Sequence, residues 1–350
     1  MKIDASLLVH DLRQMPALAR FADEIHFDGL WTFETAHEPF LPLVLAAEHS
    51  TRLSLGTSIA VAFARSPAVL AYTGWDLARF SKGRFIMGLG TQVKGHNERR
   101  FGVKWDKPVD KMREVILSLR AFWDCWQNGT TLNFQGEFFK LTLMTPFFSP
   151  EPHDFHRIPI YIAGVNRRMC RLAGELCQGF HVHPLHTSRY LKEIVAPNIQ
   201  LGLAKGGRQR DQIDLSSSIF VIPTDDAKPA ALYESDIRRQ IAFYASTPPY
   251  RPVFEIEGWG ETAEQLRTLA ARGQWNDMPP LITDAMLDAF ALRGTWAELP
   301  AKVLEKYRGL LDRVSYYFPI VPGENEEGWR ATIAGFKARA GQEPFNGSIV

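Results

Sequence analysis

A histidine that follows a predicted strand is the first candidate for chemistry in this sequence. His37 lies in the loop segment 34–40, close to Pro39. The unperturbed pKa of histidine is the closest to neutrality, so His37 can take up or release a proton during a reaction. Taken alone, a histidine near a proline in a loop is more often structural. Glu34 either orients His37 or lines a pocket, and the sequence leaves both roles open.

The turn at residues 163–168 is a candidate site for an anion. It joins an apolar strand to an amphipathic helix, and Asn166 is the predicted N-cap of that helix. Free N–H groups and the helix dipole favour a negative group at this end. The backbone N–H groups of Gly164, Val165 and the residues up to Arg168 are the predicted donors. Glycine allows close approach of a phosphate, and Arg167 and Arg168 add positive charge. The alternative is an ordinary turn with exposed arginines.

Three histidines cluster at the end of another predicted strand. His181 and His183 alternate along it, with His186 just beyond. Alternate residues face the same way, so both rings could reach one zinc ion. No acidic or histidine partners at other strand ends complete such a site. We therefore expect no metal, and predict that His181 and His183 line a cofactor or substrate cavity.

An apolar segment at residues 53–62 contains Gly56, Thr57 and Ser58 in its middle. Glycine inside a strand usually marks a bulge or the close approach of another group. We interpret this segment as a strand whose backbone supports a flat ligand. A glycine kink at a barrel corner is the alternative.

These candidates lie in a chain where strand and helix alternate. Strands are predicted at 2–9, 28–34, 53–62, 85–90, 158–164, 179–184, 215–223 and 314–320, and helices at 12–25, 41–49, 68–80, 108–126 and 323–341. Eight such strands favour the α/β class and a closed (β/α)₈ TIM barrel, although an open doubly wound sheet shares the local pattern. In such a barrel, functional residues collect at the carboxyl ends of the strands, which is where the candidates lie.

Two long insertions interrupt the alternation. Residues 91–157 follow the fourth strand and include a predicted hairpin at 136–141, and residues 225–312 follow the seventh strand and are rich in aromatic residues and proline. These aromatic residues form either an apolar lid or additional core. Because there is no repeat or Gly/Ser linker, we predict a single domain over residues 1–350.

Several short segments, taken in their order along the chain, carry a resemblance to a known family. They are DGLW at 28–31, LGTSI at 55–59, RSP at 65–67, GRFIMGLGT at 83–91, PIYIAG at 159–164 and RLAGELCQGF at 171–180. Together they resemble the bacterial luciferase-like family, most closely its branch that uses the deazaflavin coenzyme F420. The resemblance covers about residues 1–190 and is weaker beyond them.

The resemblance implies roles for particular residues. It places His37 beside the reactive ring and the cofactor phosphate at residues 164–168, and it implies a non-proline cis peptide bond between Ser58 and Ile59. Further cofactor contacts are implied at Val61, Thr91 and Gln92, and His96 joins His181 and His183 in the substrate pocket. The acidic residue that sugar-phosphate-oxidising relatives use after the fourth strand has no counterpart, so such a substrate is not expected.

The predicted function is hydride transfer between coenzyme F420 and an unidentified organic substrate. An FMN-dependent luciferase-like monooxygenase and a non-catalytic flavin-binding protein are the alternatives, with a metal-dependent hydrolase less favoured. The resemblance also implies a homodimer.

Composition limits the possible partners and compartment. A formal net charge of +1 over 350 residues gives no general electrostatic case for nucleic acid or an anionic membrane. Apolar runs are too short for a signal peptide or a membrane span. The three cysteines lack the spacing of a metal or redox motif, which favours a reducing cytoplasm. The expected partner is the small-molecule organic substrate of the predicted function.

Overall fold

Within residues 1–7 and 9–340, which the computed structural model describes, eight parallel strands close into a barrel. Its strands are, in order around the barrel, β1 (Lys2–Leu7), β2 (Gly29–Thr32), β3 (Ser54–Thr57), β5 (Phe85–Gly90), β8 (Ile160–Gly164), β9 (Gly179–Val182), β10 (Asp214–Pro223) and β12 (Arg313–Tyr316). The barrel closes where β12 pairs with β1, with Val314 opposite Ile3. The predicted TIM barrel is therefore confirmed.

Helices surround the barrel and bury their apolar sides against it. They are α1 (Met15–Glu24), α2 (Leu41–Glu48), α3 (Pro67–Phe80), α4 (Lys94–Arg99), α5 (Pro108–Asn128), α6 (Arg167–Leu176), α7 (Ser188–Tyr190), α8 (Ala196–Lys205), α9 (Ala227–Ala245), α10 (Arg251–Ile256), α11 (Gly260–Ala271), α12 (Asp284–Phe290), α13 (Leu299–Tyr307) and α14 (Glu326–Ala340). A π-helical segment, Leu191–Val195, joins α7 to α8.

Several predicted boundaries were too long. The second strand ends at Thr32 rather than residue 34, and the eighth ends at Tyr316 rather than residue 320. The first predicted helix begins as a 3₁₀ turn, Leu12–Gln14, and becomes α-helical at Met15. The predicted ends of the first strand and the last helix include residues 8 and 341, which lie outside the described residues.

The third predicted strand is broken in its middle. β3 ends at Thr57, and β4 (Ala60–Val61) continues the pairing with β5. The peptide bond between Ser58 and Ile59 is cis, as predicted. The Thr57 hydroxyl donates to the carbonyl oxygen of Gly88 at 2.5 Å and accepts from its N–H at 3.1 Å, so a side chain replaces part of the β3–β5 ladder.

The amino-terminal half of the barrel is filled by a buried polar cluster. Arg313 on β12 forms two hydrogen bonds to Asp4 on β1, at 2.8 and 2.9 Å, and their side chains are 2% and 1% exposed. The indole of Trp31 donates to the same carboxylate at 2.9 Å. A Cβ atom at Gly56 would lie 2.3 Å from the Trp31 ring, so this glycine accommodates Trp31 rather than a ligand. Our flat-ligand interpretation was wrong for this residue.

The two long insertions have different relations to the sheet. The first carries the predicted helix α5, a short helix α4 that was not predicted, and a small hairpin of β6 (Phe134–Gln135) and β7 (Lys140–Leu141), which begins two residues before the predicted segment. The second carries α9 to α13 and a strand that the sequence did not predict, β11 (Ala291–Gly294). β11 pairs in parallel with the carboxyl end of β10, Phe220 opposite Ala291. In the described part of the chain, we find no helix with the length and apolar content to cross a membrane.

Candidate active site

The carboxyl ends of the barrel strands form a partly open mouth. Ser58 and Ile59 are partly exposed there, between the end of β3 and the start of β4. A Cβ atom at Gly90 would lie 2.6 Å from the Ile59 side chain, so Ile59 lies directly over this glycine at the end of β5. Val61 is fully buried, so its side chain does not reach the mouth. Ser58 and Ile59 therefore form the surface of the mouth at this point, and we call these two residues the 58–59 ridge.

Glu34 holds the 58–59 ridge against the end of β2. Its Oε2 accepts hydrogen bonds from the N–H of Val61 and from Nη1 of Arg65, both at 2.6 Å. The side chain of Glu34 is 8% exposed and that of Arg65 is 17% exposed, so water screens this ion pair weakly. Arg65 also donates to the carbonyl oxygen of Val61 at 3.1 Å and to Glu38 at 3.2 Å. This geometry suits a residue that positions backbone.

His37 is exposed at the mouth and lies next to a second histidine. The rings of His37 and His10 are 6.0 Å apart, edge to face. His10 follows β1 as His37 follows β2, so its position at a strand end is the signal that could have identified it. The guanidinium of Arg100 donates to the carbonyl oxygen of Thr35 at 2.6 Å and links this loop to the one after β5.

The loop after β5 is an ordered turn that leads into α4. Gln92 has a positive φ of 56°, and its carbonyl oxygen accepts from the Thr91 hydroxyl at 2.9 Å. Asn97 is buried and donates to the carbonyl oxygens of Thr91 and Val93. Thr91 and Gln92 are partly exposed and His96 is exposed.

The loop after β8 ends in a capped helix terminus. Asn166 is the N-cap of α6, as predicted, and its Oδ1 accepts from the N–H of Met169 at 2.9 Å. Arg167 and Arg168 are exposed, and Arg168 pairs with Asp110 at 3.3 Å.

Two backbone positions before this cap are set by packing. A Cβ atom at Gly164 would lie 2.5 Å from Cγ of Met169, so packing alone requires a glycine here, and phosphate binding at its backbone stays a prediction. The carbonyl oxygen of Val165 accepts from the Tyr190 hydroxyl. The first N–H groups of α6 have no acceptor within the helix itself, as at any helix start.

The three histidines do not converge. His181 is buried inside the barrel, with ring centroids 4.9 Å from Trp31 and 5.3 Å from Tyr161. Desolvation, followed by the charge of Arg313, lowers the pKa of His181 to about 3. His183 lies past the strand end, and the ring of His186 packs against Tyr307 at 5.6 Å.

No group of three or more His, Cys, Asp or Glu side chains within residues 1–7 and 9–340 is arranged to hold a metal ion. His183 instead contacts tyrosines that the sequence did not identify. Its ring is 4.2 Å from that of Tyr250 and 4.4 Å from that of Tyr244. The sequence did not indicate that these two tyrosines belong to the site, because they lie in the long insertion after β10 and reach the mouth only in the folded chain.

Comparison with known proteins identifies relatives across nearly the whole chain. A family model described as luciferase-like monooxygenase matches residues 2–313. An uncharacterized protein of Mycobacterium tuberculosis is 43% identical over 338 residues, which cover 96% of this chain and 98% of the relative. A 5,10-methylenetetrahydromethanopterin reductase of Archaeoglobus fulgidus is 28% identical over 315 residues, covering 88% and 90%.

Among solved structures, the coenzyme F420-dependent tetrahydromethanopterin reductase of Methanopyrus kandleri has the same fold. It superposes with a TM-score of 0.78 and covers 97% of this chain and 99% of that chain, at 22% identity.

Proposed function

The chain belongs to the luciferase-like monooxygenase family, and we propose that it is an oxidoreductase that binds coenzyme F420 at the barrel mouth. In this proposal it transfers a hydride between the deazaflavin and an organic substrate. The similarity to methylenetetrahydromethanopterin reductase over 88% of the chain supports the class of reaction. The observation that carries the proposal is the combination, at one barrel mouth, of an exposed histidine, the partly exposed 58–59 ridge and an arginine-flanked helix start.

The residues at the mouth fit such a cofactor. The start of α6, with Arg167 and Arg168 exposed beside it, suits a phosphate and an acidic tail. The 58–59 ridge offers a partly exposed surface for a flat ring, with Thr91 and Gln92 at its side. When bound, coenzyme F420 supplies the carbon that carries the hydride.

The protein's own part is positioning and proton transfer. His37 is exposed at the mouth, so it can give a proton to the substrate or remove one as the hydride moves. Glu34 holds the 58–59 ridge through Val61 and Arg65, and in this proposal it acts through that ridge. We assign His96 and His183 to the walls of the substrate space, and His181 to the packing beneath it.

Titration of the purified protein with coenzyme F420 and with FMN tests the cofactor assignment. We expect F420 to bind more tightly, and Arg167→Ala to weaken its binding about 10-fold, the loss of one charge-assisted contact. Arg20→Ala, which removes an exposed arginine of α1, is the matched control and should bind normally. Tighter binding of FMN would favour the monooxygenase alternative.

Replacement of His37 tests its role. His37→Asn should lower kcat by roughly 10²-fold and leave the Kd for F420 within about 3-fold, since a proton-transfer group contributes on that scale. Turnover is followed by deazaflavin absorbance with a substrate found in a panel of carbonyl and imine compounds. His26→Asn is the control, because His26 is exposed at the opposite barrel end and asparagine accepts its φ of 73°. An unchanged kcat in His37→Asn contradicts the role.

We also propose a homodimer. Apolar side chains on two neighbouring helices support it: Leu41 and Val44 on α2 and Val69 and Phe80 on α3 are 41–55% exposed. Light scattering on the eluted protein should give twice the mass of one chain, and Val69→Asp should shift it toward one. A monomer at all concentrations contradicts this proposal.

A further inference from the structure

Four aromatic rings from distant parts of the chain meet at one side of the barrel mouth. His183 follows β9 and Tyr317 follows β12, whereas Tyr244 and Tyr250 belong to the insertion after β10. Tyr244 lies near the end of α9, and Tyr250 ends the 3₁₀ turn Pro248–Tyr250. All four residues are partly exposed. We refer to them as the aromatic wall.

The rings of the aromatic wall are fixed by one another. Tyr250 stacks on His183 with an interplanar angle of 30°, and Tyr244 stands edge-on to His183 at 85°. The hydroxyls of Tyr244 and Tyr317 are hydrogen-bonded to each other. Tyr317 is held from below by Phe220 of β10, with ring centroids 4.7 Å apart. The wall is therefore a preformed surface, and little ordering remains for a ligand to impose.

The aromatic wall carries no charge near neutral pH. Desolvation lowers the pKa of His183 to about 3, and it raises the pKa of Tyr250 to about 12. Desolvation also raises the pKa values of Tyr244 and Tyr317 above their usual range. The surface nevertheless keeps hydrogen-bonding groups. Nδ1 of His183 accepts from the N–H of Leu185 at 3.1 Å, so the proton of the neutral ring is on Nε2 and is available to a ligand.

We propose that the aromatic wall binds the substrate, and that this substrate is a planar, uncharged, conjugated compound with a hydrogen-bond acceptor. The inference rests on the proposed function, in which the cofactor lies across the mouth against the 58–59 ridge and the start of α6. Flat π-systems match the offset and edge-on arrangements that aromatic rings prefer. An ionised group would lose its hydration against this surface and gain no counter-charge from the wall. The acceptor would take the hydrogen bond of His183 Nε2–H.

Binding of three matched probes tests the proposal by calorimetry. 2-Acetonaphthone is planar, uncharged and carries a carbonyl acceptor; 2-naphthoate has the same ring with a charge; 2-acetyldecalin has the carbonyl without planarity. We expect 2-acetonaphthone to bind at least about 10-fold more tightly than either of the others. Equal binding of the three would overturn the proposal.

Variants locate the probe. Tyr250→Ala should reduce the preference for 2-acetonaphthone to about 2-fold, and Tyr250→Leu, which keeps volume without a ring, should do the same if the alanine variant does not fold. Phe147→Ala, which removes an aromatic side chain that is 89% exposed elsewhere, should retain the full preference. A full preference in the folded Tyr250 variants would overturn the assignment of the wall.

The same titrations are run with and without coenzyme F420, so the two proposals fail separately. If the wild-type protein does not bind F420, the proposed function is wrong, and the preference among the probes can still be measured. Normal F420 binding without a probe preference contradicts the substrate inference alone.

Discussion

The contacts of Glu34 predict that its replacement perturbs the fold of the mouth before it perturbs any chemistry. Its carboxylate accepts from the buried N–H of Val61 and from Arg65, both at 2.6 Å. Glu34→Ala removes both bonds and leaves the N–H of a residue that is 0% exposed without this acceptor. Glu34→Gln keeps one acceptor oxygen and loses the charge.

The expected sizes follow from these contacts. A buried donor left unpaired costs about 1–3 kcal/mol, and a hydrogen bond to a charged group contributes about 1.5–3 kcal/mol. Because Arg65 retains Val61 and Glu38 as partners, the two losses do not add fully. We expect the free energy of unfolding to fall by about 3 kcal/mol in Glu34→Ala and about 1–2 kcal/mol in Glu34→Gln.

Urea unfolding followed by circular dichroism measures these changes, and F420 titration measures their effect on the ridge. Glu48→Gln, an exposed glutamate of α2, is the control and should stay within about 0.5 kcal/mol of wild type. A double-mutant cycle of Glu34→Gln with Arg65→Met should give a coupling of about 1–2 kcal/mol. If Glu34→Gln is as stable as wild type and only kcat falls, Glu34 is a catalytic residue and the positioning argument is wrong.

Three further predictions concern the barrel and its histidines. Asp4→Leu and Arg313→Met should each lower the free energy of unfolding by about 3–5 kcal/mol, because each leaves the other charge buried without its partner. The double variant should be more stable than either single variant. If the losses of the two single variants add in the double variant, the two residues do not act as a buried ion pair. Desolvation lowers the pKa of His186 to about 4, so between pH 6.5 and 4 only the unfolded chain binds a proton at this residue. The free energy of unfolding should therefore decrease as the pH is lowered from 6.5 to 4. His186→Phe should give a shallower decrease in pH-dependent urea unfolding, and an unchanged slope refutes the assignment. Asn166→Ala should cost about 1 kcal/mol in thermal unfolding and Asn166→Asp only a few tenths, and equal losses would show that the N-cap bond contributes little.

The barrel could be predicted from sequence because its signals are local. Each predicted strand is a short apolar run followed by a helical pattern, and Asn166 carries the chemistry of an N-cap in its own side chain. The cis bond between Ser58 and Ile59 came from resemblance, since residue types alone only permit it. Boundaries were less predictable, because the apolar residues after Thr32 and Tyr316 continue the pattern beyond the last ladder bond.

The features that sequence analysis missed depend on contacts between distant residues. β11 becomes a strand because β10 extends past β12 and offers a free edge, which no local pattern in residues 291–294 reports. Tyr244 and Tyr250 belong to the mouth only because the insertion returns to His183. The sequence does not show that Met169 packs against Gly164, so this second reason for the glycine was missed.

The ion pair between Asp4 and Arg313 also constrains the order of events during synthesis of the chain. The two residues are 309 positions apart, so at about 5–20 residues per second the ribosome needs about 15–60 s to make the partner of the first strand. Until then β1 has one unpaired edge, and the Asp4 carboxylate lacks the cation that neutralises it in the finished barrel. An open edge pairs readily with other chains. We therefore expect this edge of β1 to stay open to other chains until β12 has been made.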